Sequence, residues 1–251
     1  MSELISIITP MYNSEKFIES TIQSVRNQTY TNWEMIIVDD ASTDRSESIV
    51  RKIMRKDGRI KLTSLNIRKG SANARNNAIC SAKGRYLAFL DSDDIWLTEK
   101  LSRQVKFMKE GDYLLSFTAY QKIDEESNVI GKVDIGRKEV SYKELLRTNY
   151  IGCLTVIIDV KLIGRKVFMP LIEKRHDHAL WLEILKDGHH AFGLNEILAQ
   201  YRYRKDSLSH NKLNALRYQW YLYRDIENMN LLQSLIYMLS YSYLGFRKWR
   251  E

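Results

Sequence analysis

The sequence predicts an α/β fold built on a mostly parallel sheet, and three observations predict it. Short β-branched and apolar runs alternate with helical patterns through the first hundred residues. The connections between them are short, as in a strand–helix succession that covers both faces of a sheet. Three polar clusters, Pro10–Asn13, Asp39–Asp40 and Asp91–Asp94, fall where the strand-like runs stop. In open parallel sheets ligands bind beyond the carboxyl ends of the strands, so the three clusters are expected to converge on one crevice.

The elements follow in order. Ile5–Thr9 is a β-branched run of strand length closed by Pro10, and Ser14 is the expected N-cap of a helix through about Gln28, with Phe17, Ile18, Ile22 and Val25 at helical spacing. Trp33–Val38 reads as a strand, Asp44–Arg55 as a helix, Ile60–Leu65 as a short strand, Ser71–Ala82 as a helix and Tyr86–Leu90 as a strand. Beyond it come a helix over Leu97–Lys109, a strand over Tyr113–Ile123 and a turn at Asp124–Asn128. Val140–Thr148 and Lys174–Lys186 read as helices, the second with Leu180, Trp181, Ile184 and Leu185 on one side. Phe192–Tyr203 suggests a strand pair, and the pattern is helical after Ser207.

A chain of 251 residues can bury a sizeable core, and only 2 prolines and 11 glycines argue against long low-complexity linkers. One compact domain with a helical appendage is therefore expected. Cys80 and Cys153 lie in apolar stretches without metal-type spacing and read as core thiols of a reducing compartment. The N-terminus, MSELISIITP, lacks a basic region and has too short an apolar run for a signal peptide, which points to the cytoplasm. Net charge is +8, with 15 Lys/Arg against 9 Asp/Glu between Lys161 and Glu251. That scattered excess reads as a solvated face, and the strand-end acids would repel phosphates, so nucleic acid is not an expected partner.

The chemistry begins in YLAFLDSDDIW, Tyr86–Trp96, where a buried-looking strand runs into three acids. Crowded carboxylates need a cation among them, and a strand-end Asp-x-Asp is a hard oxygen site suited to Mg²⁺ or Mn²⁺ shared with phosphate. The plainer reading is an acidic turn, with Asp94 or Thr98 capping the next helix. Tyr12 is placed to stack on a flat base and Asp40 to accept an imide N–H, which suggests uridine. Alternatively the two are a packed surface tyrosine and an ordinary turn aspartate.

Together the stretches SIITPMYNSEKFIESTIQSVRNQTYTNWEMIIVDDASTDRS, GSANARNNAICSAKGRYLAFLDSDDIW and HDHALWLEIL resemble glycosyltransferase family 2, over roughly residues 4–210. The resemblance implies a GT-A fold: a Rossmann-like nucleotide-sugar half (1–96) fused to an acceptor-binding and catalytic half (97–210), followed here by a C-terminal helical tail (211–251). It implies inverting transfer from a nucleotide sugar, with UDP suggested by Asp40, to a hydroxyl of a glycan or lipid-linked saccharide in surface-polysaccharide biosynthesis. By that resemblance Pro10, Tyr12 and Asp40 line the base pocket, Arg75 approaches the nucleotide and diphosphate, and Asp91 faces the ribose or a metal-bound water. Asp93 ligates Mn²⁺ or Mg²⁺, with Asp91 as its partner, and Asp177 is the catalytic base. Trp96, His176, Trp181 and Arg204 are acceptor-side candidates, the two tryptophans equally readable as core aromatics.

Two positions depart from the family pattern. His176-Asp177 stands where the family usually has Glu-Asp, and Arg204 stands near a position that often carries histidine. A cation cannot ligate a metal, so the ion is expected to rest mainly on Asp93, diphosphate and water. His176 and His178 are two apart and would point to different faces of a helix, which argues against a His-x-His metal site. The departures also supply the alternative function, a catalytically inactive GT-A binding or scaffold subunit, against which intact Asp40, Asp91, Asp93 and Asp177 argue.

The tail carries no charge from Asn228 to Phe246, then ends in Arg247, Lys248, Trp249 and Arg250. Its Asn, Gln and Ser residues make it too polar for an easy membrane span, while Leu231, Leu235, Leu239 and Tyr243 form an i, i+4 stripe. Peripheral contact with the cytoplasmic face of the inner membrane is one reading, and docking on the catalytic domain or another subunit is the other.

Overall fold

Strand β1 (Ile5–Met11) is buried along its whole length and passes straight through Pro10, which lies opposite Val38. A strand covered on both faces reads as a continuous apolar run rather than an alternation, which is why ISIIT was recognisable. The computed structural model describes residues 2–133, 135, 137–204 and 212–250. After β1 come α1 (Ile18–Arg26), β2 (Trp33–Asp39), α2 (Ser46–Met54), β3 (Ile60–Ser64), α3 (Ser71–Ser81) and β4 (Tyr86–Phe89). The second half contains β5 (Ile95–Trp96), α4 (Lys100–Gly111), β6 (Leu115–Ile123), β7 (Val129–Val133), β8 (Glu139–Val140), α5 (Tyr142–Arg147), β9 (Ile157–Asp159) and α6 (Val160–Ile163). It closes with α7 (His176–Lys186), β10 (Ala191–Arg202), α8 (Lys212–Tyr221), a π-helical turn (Leu222–Ile226) and α9 (Leu231–Arg250).

The described strands form one sheet in the order β3-β2-β1-β4-β9-β6-β10-β5, with β7 beside β6 and β8 beside β10. β1 pairs in parallel with β2 and β4, β2 with β3, and β6 with β10, whereas β9 runs antiparallel to both β4 and β6. The carboxyl ends of β1, β2 and β4 therefore share one edge. Alternate residues feed two cores: Ile8, Val38, Phe89 and Trp181 on one face, and Ile7, Ile37, Leu90 and Trp96 on the other.

Several expected boundaries move, each for a local reason. Ser14 does not cap α1; its carbonyl accepts from the N–H groups of Phe17 and Ile18, and the helix starts at Ile18. The helix expected from Leu97 starts at Lys100, because Ile95–Trp96 pair with β10 and the Leu97 N–H bonds Leu198 O. Neither Asp94 nor Thr98 caps it. The helix expected from Val140 is shortened to α5 because Glu139–Val140 join β10, and Ser141 with Glu144 then forms a capping box. Phe192–Tyr203 is not a strand pair but one irregular strand, β10, whose register against β6 shifts between Leu194 and Ala199. Cys80 is exposed rather than in the core, and Cys153 is half-buried. Of the YRYRKDSLS segment, residues 205–209 lie outside the described residues.

Candidate active site

The loops after β1 and β2 are stitched to one another by polar side chains. Asn13, in the left-handed region with φ 46°, donates its N–H to Ser42 Oγ, and its Oδ1 accepts the Thr43 N–H at 2.8 Å. The Ser14 N–H bonds Ser46 Oγ at 2.7 Å. Tyr12 thus stands beside the end of β2, with the Arg68 guanidinium 4.0 Å over its ring. Asp40 is buried and receives the backbone N–H groups of Lys69 (2.7 Å) and Gly70 (2.8 Å), one on each oxygen. Gly70 has φ 88°, which frees the chain to turn there into α3. A carboxylate has about four lone-pair sites, so Asp40 retains acceptor capacity beyond these two N–H groups.

The DSDD acids are divided by their partners. Asp91, just past β4, pairs with Arg75 Nη2. Asp93 pairs with Arg204 Nη1 at 3.0 Å. Asp94 turns inward, and its Oδ1 accepts the Arg202 N–H at 2.8 Å. Burial, with the charges of Asp93 and Asp91, pushes the Asp94 pKa well up. Burial and the Asp91 charge also raise Asp93, against the opposing pull of Arg204. The backbone of this segment is fixed as well: Ser14 Oγ meets Ser92 Oγ at 2.7 Å, and Thr21 Oγ1 donates to the carbonyls of Ser92 and Asp94.

Arg75 joins this edge to helix α7. It is 4% exposed, and its Nη1 lies 2.6 Å from His176 Nε2. A guanidinium only donates, so His176 Nε2 is the acceptor and the imidazole is neutral. Burial and the Arg75 charge hold the His176 pKa below its usual value, in agreement. The next residue, Asp177, lies in the first turn of α7 and keeps part of its surface open. Burial opposes its charge, but the positive charge that the His176 and His178 rings take up in the acid range where a carboxylate titrates, the His178 N–H and Arg75 outweigh that, and its carboxyl sits below the ordinary range. The positive end of the helix dipole acts in the same direction. Asp177 is thus an ionised carboxylate at a helix start, next to the His176 that Arg75 ties to Asp91.

The remaining candidates fall elsewhere. Trp96 is 2% exposed, donates Nε1–H to Leu154 O at 2.8 Å and lies under Lys100 Nζ at 4.1 Å. Trp181 is fully buried and packs edge-on against Phe89 at 5.4 Å. Both side chains lie in the core, the second of the two readings open to them, Trp181 in the layer with Phe89 and Trp96 in the layer with Leu101. Arg204 sits at Asp93, and His176 faces Arg75. His178 is buried with Nε2 3.0 Å from Leu145 O, and burial takes its pKa to about 4. The two histidines diverge, as expected from their spacing.

Two contributors were not anticipated. Arg202, 3% exposed, sends Nε to Asp93 O and Nη1 to Asp124 O, Glu125 O and Ser127 Oγ, so it ties the acidic segment to the 124–127 turn. Asn76 clasps Met169 through both backbone groups at 2.8 Å, anchoring the approach to α7. The NARN pattern, with two polar residues of one helix turn facing inward, was the available signal. A depression of about 590 Å³ lined by Leu4, Lys83, Arg85 and Lys161 lies at the other end of the strands, away from these acids.

The model named Glycosyl transferase family 2 matches residues 6–171. The chain is 41% identical over 245 residues to TuaG of Bacillus subtilis, a glycosyltransferase named for teichuronic acid biosynthesis, covering 98% of this chain and 97% of that protein. The chain belongs to glycosyltransferase family 2. It is also 39% identical to WfgD of Escherichia coli, a UDP-Glc:α-D-GlcNAc-diphosphoundecaprenol β-1,3-glucosyltransferase, covering 98% of this chain and 94% of the relative. Among solved structures, S. aureus TarS 1–349 in complex with UDP superposes with a TM-score of 0.70 at 20% identity, over 94% of this chain and 70% of that one. A Pyrobaculum calidifontis mannosyltransferase in complex with GDP-Man and Mn²⁺ gives 0.73 at 18% identity, over 93% and 69%. These likenesses make the fold GT-A, and the family makes this glycosyltransferase an enzyme.

Divalent metals are typical of GT-A enzymes. Among the described residues no group of three or more His, Cys, Asp and Glu side chains is placed to hold one. Asp91 and Asp93 nevertheless offer hard oxygens at one strand end, and burial together with the Asp91 charge raises the Asp93 pKa, a cost that a cation would relieve. The two residues fit a divalent ion that draws its other ligands from diphosphate and water.

Proposed function

We propose that this glycosyltransferase moves a hexosyl group from a UDP-sugar to a hydroxyl of a saccharide carried on a lipid diphosphate, with inversion, during assembly of a surface polysaccharide. The observation that supports the reading is the line Asp91–Arg75–His176, which ties the strand-end acids to the helix start that carries Asp177. The donor and acceptor classes draw on WfgD and on a second E. coli relative, WfaP, 41% identical over 93% of this chain, both of which bear the same glucosyltransferase name.

In this reading Tyr12 stacks on the uracil, with Pro10 behind it, and Asp40 accepts the imide N–H. Asp177 takes the proton from the acceptor hydroxyl as that oxygen bonds the anomeric carbon. The bond from that carbon to the diphosphate oxygen breaks on the opposite face, and UDP leaves with the electron pair. A positioned base of this kind contributes on the order of 10²–10⁴-fold. Mn²⁺ or Mg²⁺, held by Asp93 with Asp91, would supply charge to the leaving diphosphate. Arg204, already at Asp93, is the chain's own cation for the same phosphate oxygens.

The test is UDP release from a panel of UDP-sugars, with and without a GlcNAc-diphosphate-lipid acceptor and with Mn²⁺, Mg²⁺ or EDTA. Release with UDP-Glc that requires the acceptor supports the reading. Failure of every UDP-sugar to bind in calorimetry would remove it.

A further inference from the structure

Helix α9 has two faces of opposite character. Ser234, Tyr237, Met238 and Tyr241 turn inward: Tyr237 packs against Tyr223, and the Tyr241 hydroxyl meets the Arg175 guanidinium. Arg175 is the N-cap of α7, held with φ 67°, and it immediately precedes His176 and Asp177. The outer face presents Leu231, Leu232, Leu235, Ile236, Leu239 and Tyr243, each between 46% and 71% exposed. These six fall within one arc of the helix, opposite the packed arc. A stripe of exposed leucines this long is unusual on a soluble surface and marks an interaction site.

From this face we infer that α9 is a docking helix for an anionic lipid surface, lying in the plane of the interface. Its 20 residues have no charge before Arg247, and none of the described helices is long and apolar enough to cross a membrane. The sequence then supplies Arg247, Lys248 and Arg250 with Trp249, a complement to acidic headgroups. Because the inner face grips the residue before the base helix, a bilayer on the outer face lies at the end of the molecule from which α7 starts. A saccharide on a lipid diphosphate would then reach Asp177 without leaving the interface. The choice of lipid over protein as occupant rests on the acceptor class proposed above.

The experiment is flotation of the full chain with vesicles of phosphatidylglycerol and phosphatidylethanolamine, beside vesicles of phosphatidylcholine alone. The wild type should float with the anionic vesicles and much less with the neutral ones. The double variant L235E/L239E should partition at least about a hundredfold less, since two leucines leave the apolar layer. UDP binding by calorimetry should be unchanged in that variant, which reports that the fold and donor site are intact. No flotation of the wild type, or equal flotation of the variant, would overturn the inference. So would a wild-type dimer in light scattering that L235E/L239E converts to monomer, since the face would then belong to a second copy. No donor or acceptor enters the flotation, so its failure is distinguishable from failure of the transfer assay.

Discussion

Asp40, Asp91, Asp93 and Asp94 are each held by a named partner, whereas the apolar side chains on the outer face of α9 remain 46–71% exposed. The first region is a polar site fixed in advance of any ligand, which is how electrostatic stabilisation avoids reorganisation during a reaction. The second is a surface the fold itself does not use. Substitutions in the crevice should therefore disturb folding and chemistry together, and substitutions on the outer face of α9 should leave both intact.

The largest effect is expected at the link itself. Arg75→Ala leaves His176 facing a void and Asp91 without its cation; because the Asp91 side chain is 34% exposed, the cost falls below the about 3–5 kcal/mol of a fully buried pair. Denaturant unfolding should show that loss, together with transfer reduced at least about a hundredfold. Arg75→Lys should not rescue it, because one ammonium cannot hold two partners in the guanidinium geometry.

Acid offers the next break. The folded pKa of His178, about 4, lies below the ordinary 6.5, so the unfolded chain binds a proton that the folded chain refuses. Stability should fall as pH drops from 6.5 toward 4, by about 1.4 kcal/mol per unit from this group. Unfolding curves at several pH values in that window check the slope, and His178→Gln should flatten it. A smaller loss, about 1–3 kcal/mol in denaturant unfolding, is expected for Trp181→Phe, with KM for acceptor unchanged. A raised KM would return Trp181 to the acceptor side. Smallest of all, L235E/L239E should change unfolding free energy by no more than about 0.5 kcal/mol per site.

The two regions also differ in how far the sequence disclosed them. β1, β2 and β4 were legible because strands buried on both faces are uninterrupted apolar runs, and their acidic ends followed from the parallel topology. The partners of those acids were hidden. Arg202 and Arg204 reach Asp93 across more than a hundred residues, and Arg75 meets His176 at a separation of 101, distances at which no spacing rule operates. Trp96 and Trp181 were ambiguous, since an aromatic at helical spacing looks alike in a core and at an acceptor site. The exposed α9 stripe was readable as a pattern, but only the packed inner face, with Tyr241 on Arg175, shows which way it points.

Transfer and donor binding in Asp177→Asn decide whether Asp177 is the base. The amide keeps the shape of the carboxylate but cannot take a proton. UDP-sugar affinity should stay within about twofold of wild type by calorimetry, and transfer to the lipid-linked acceptor should fall by on the order of 10²–10⁴-fold. Wild-type transfer in Asp177→Asn would contradict that role and move the base to another residue.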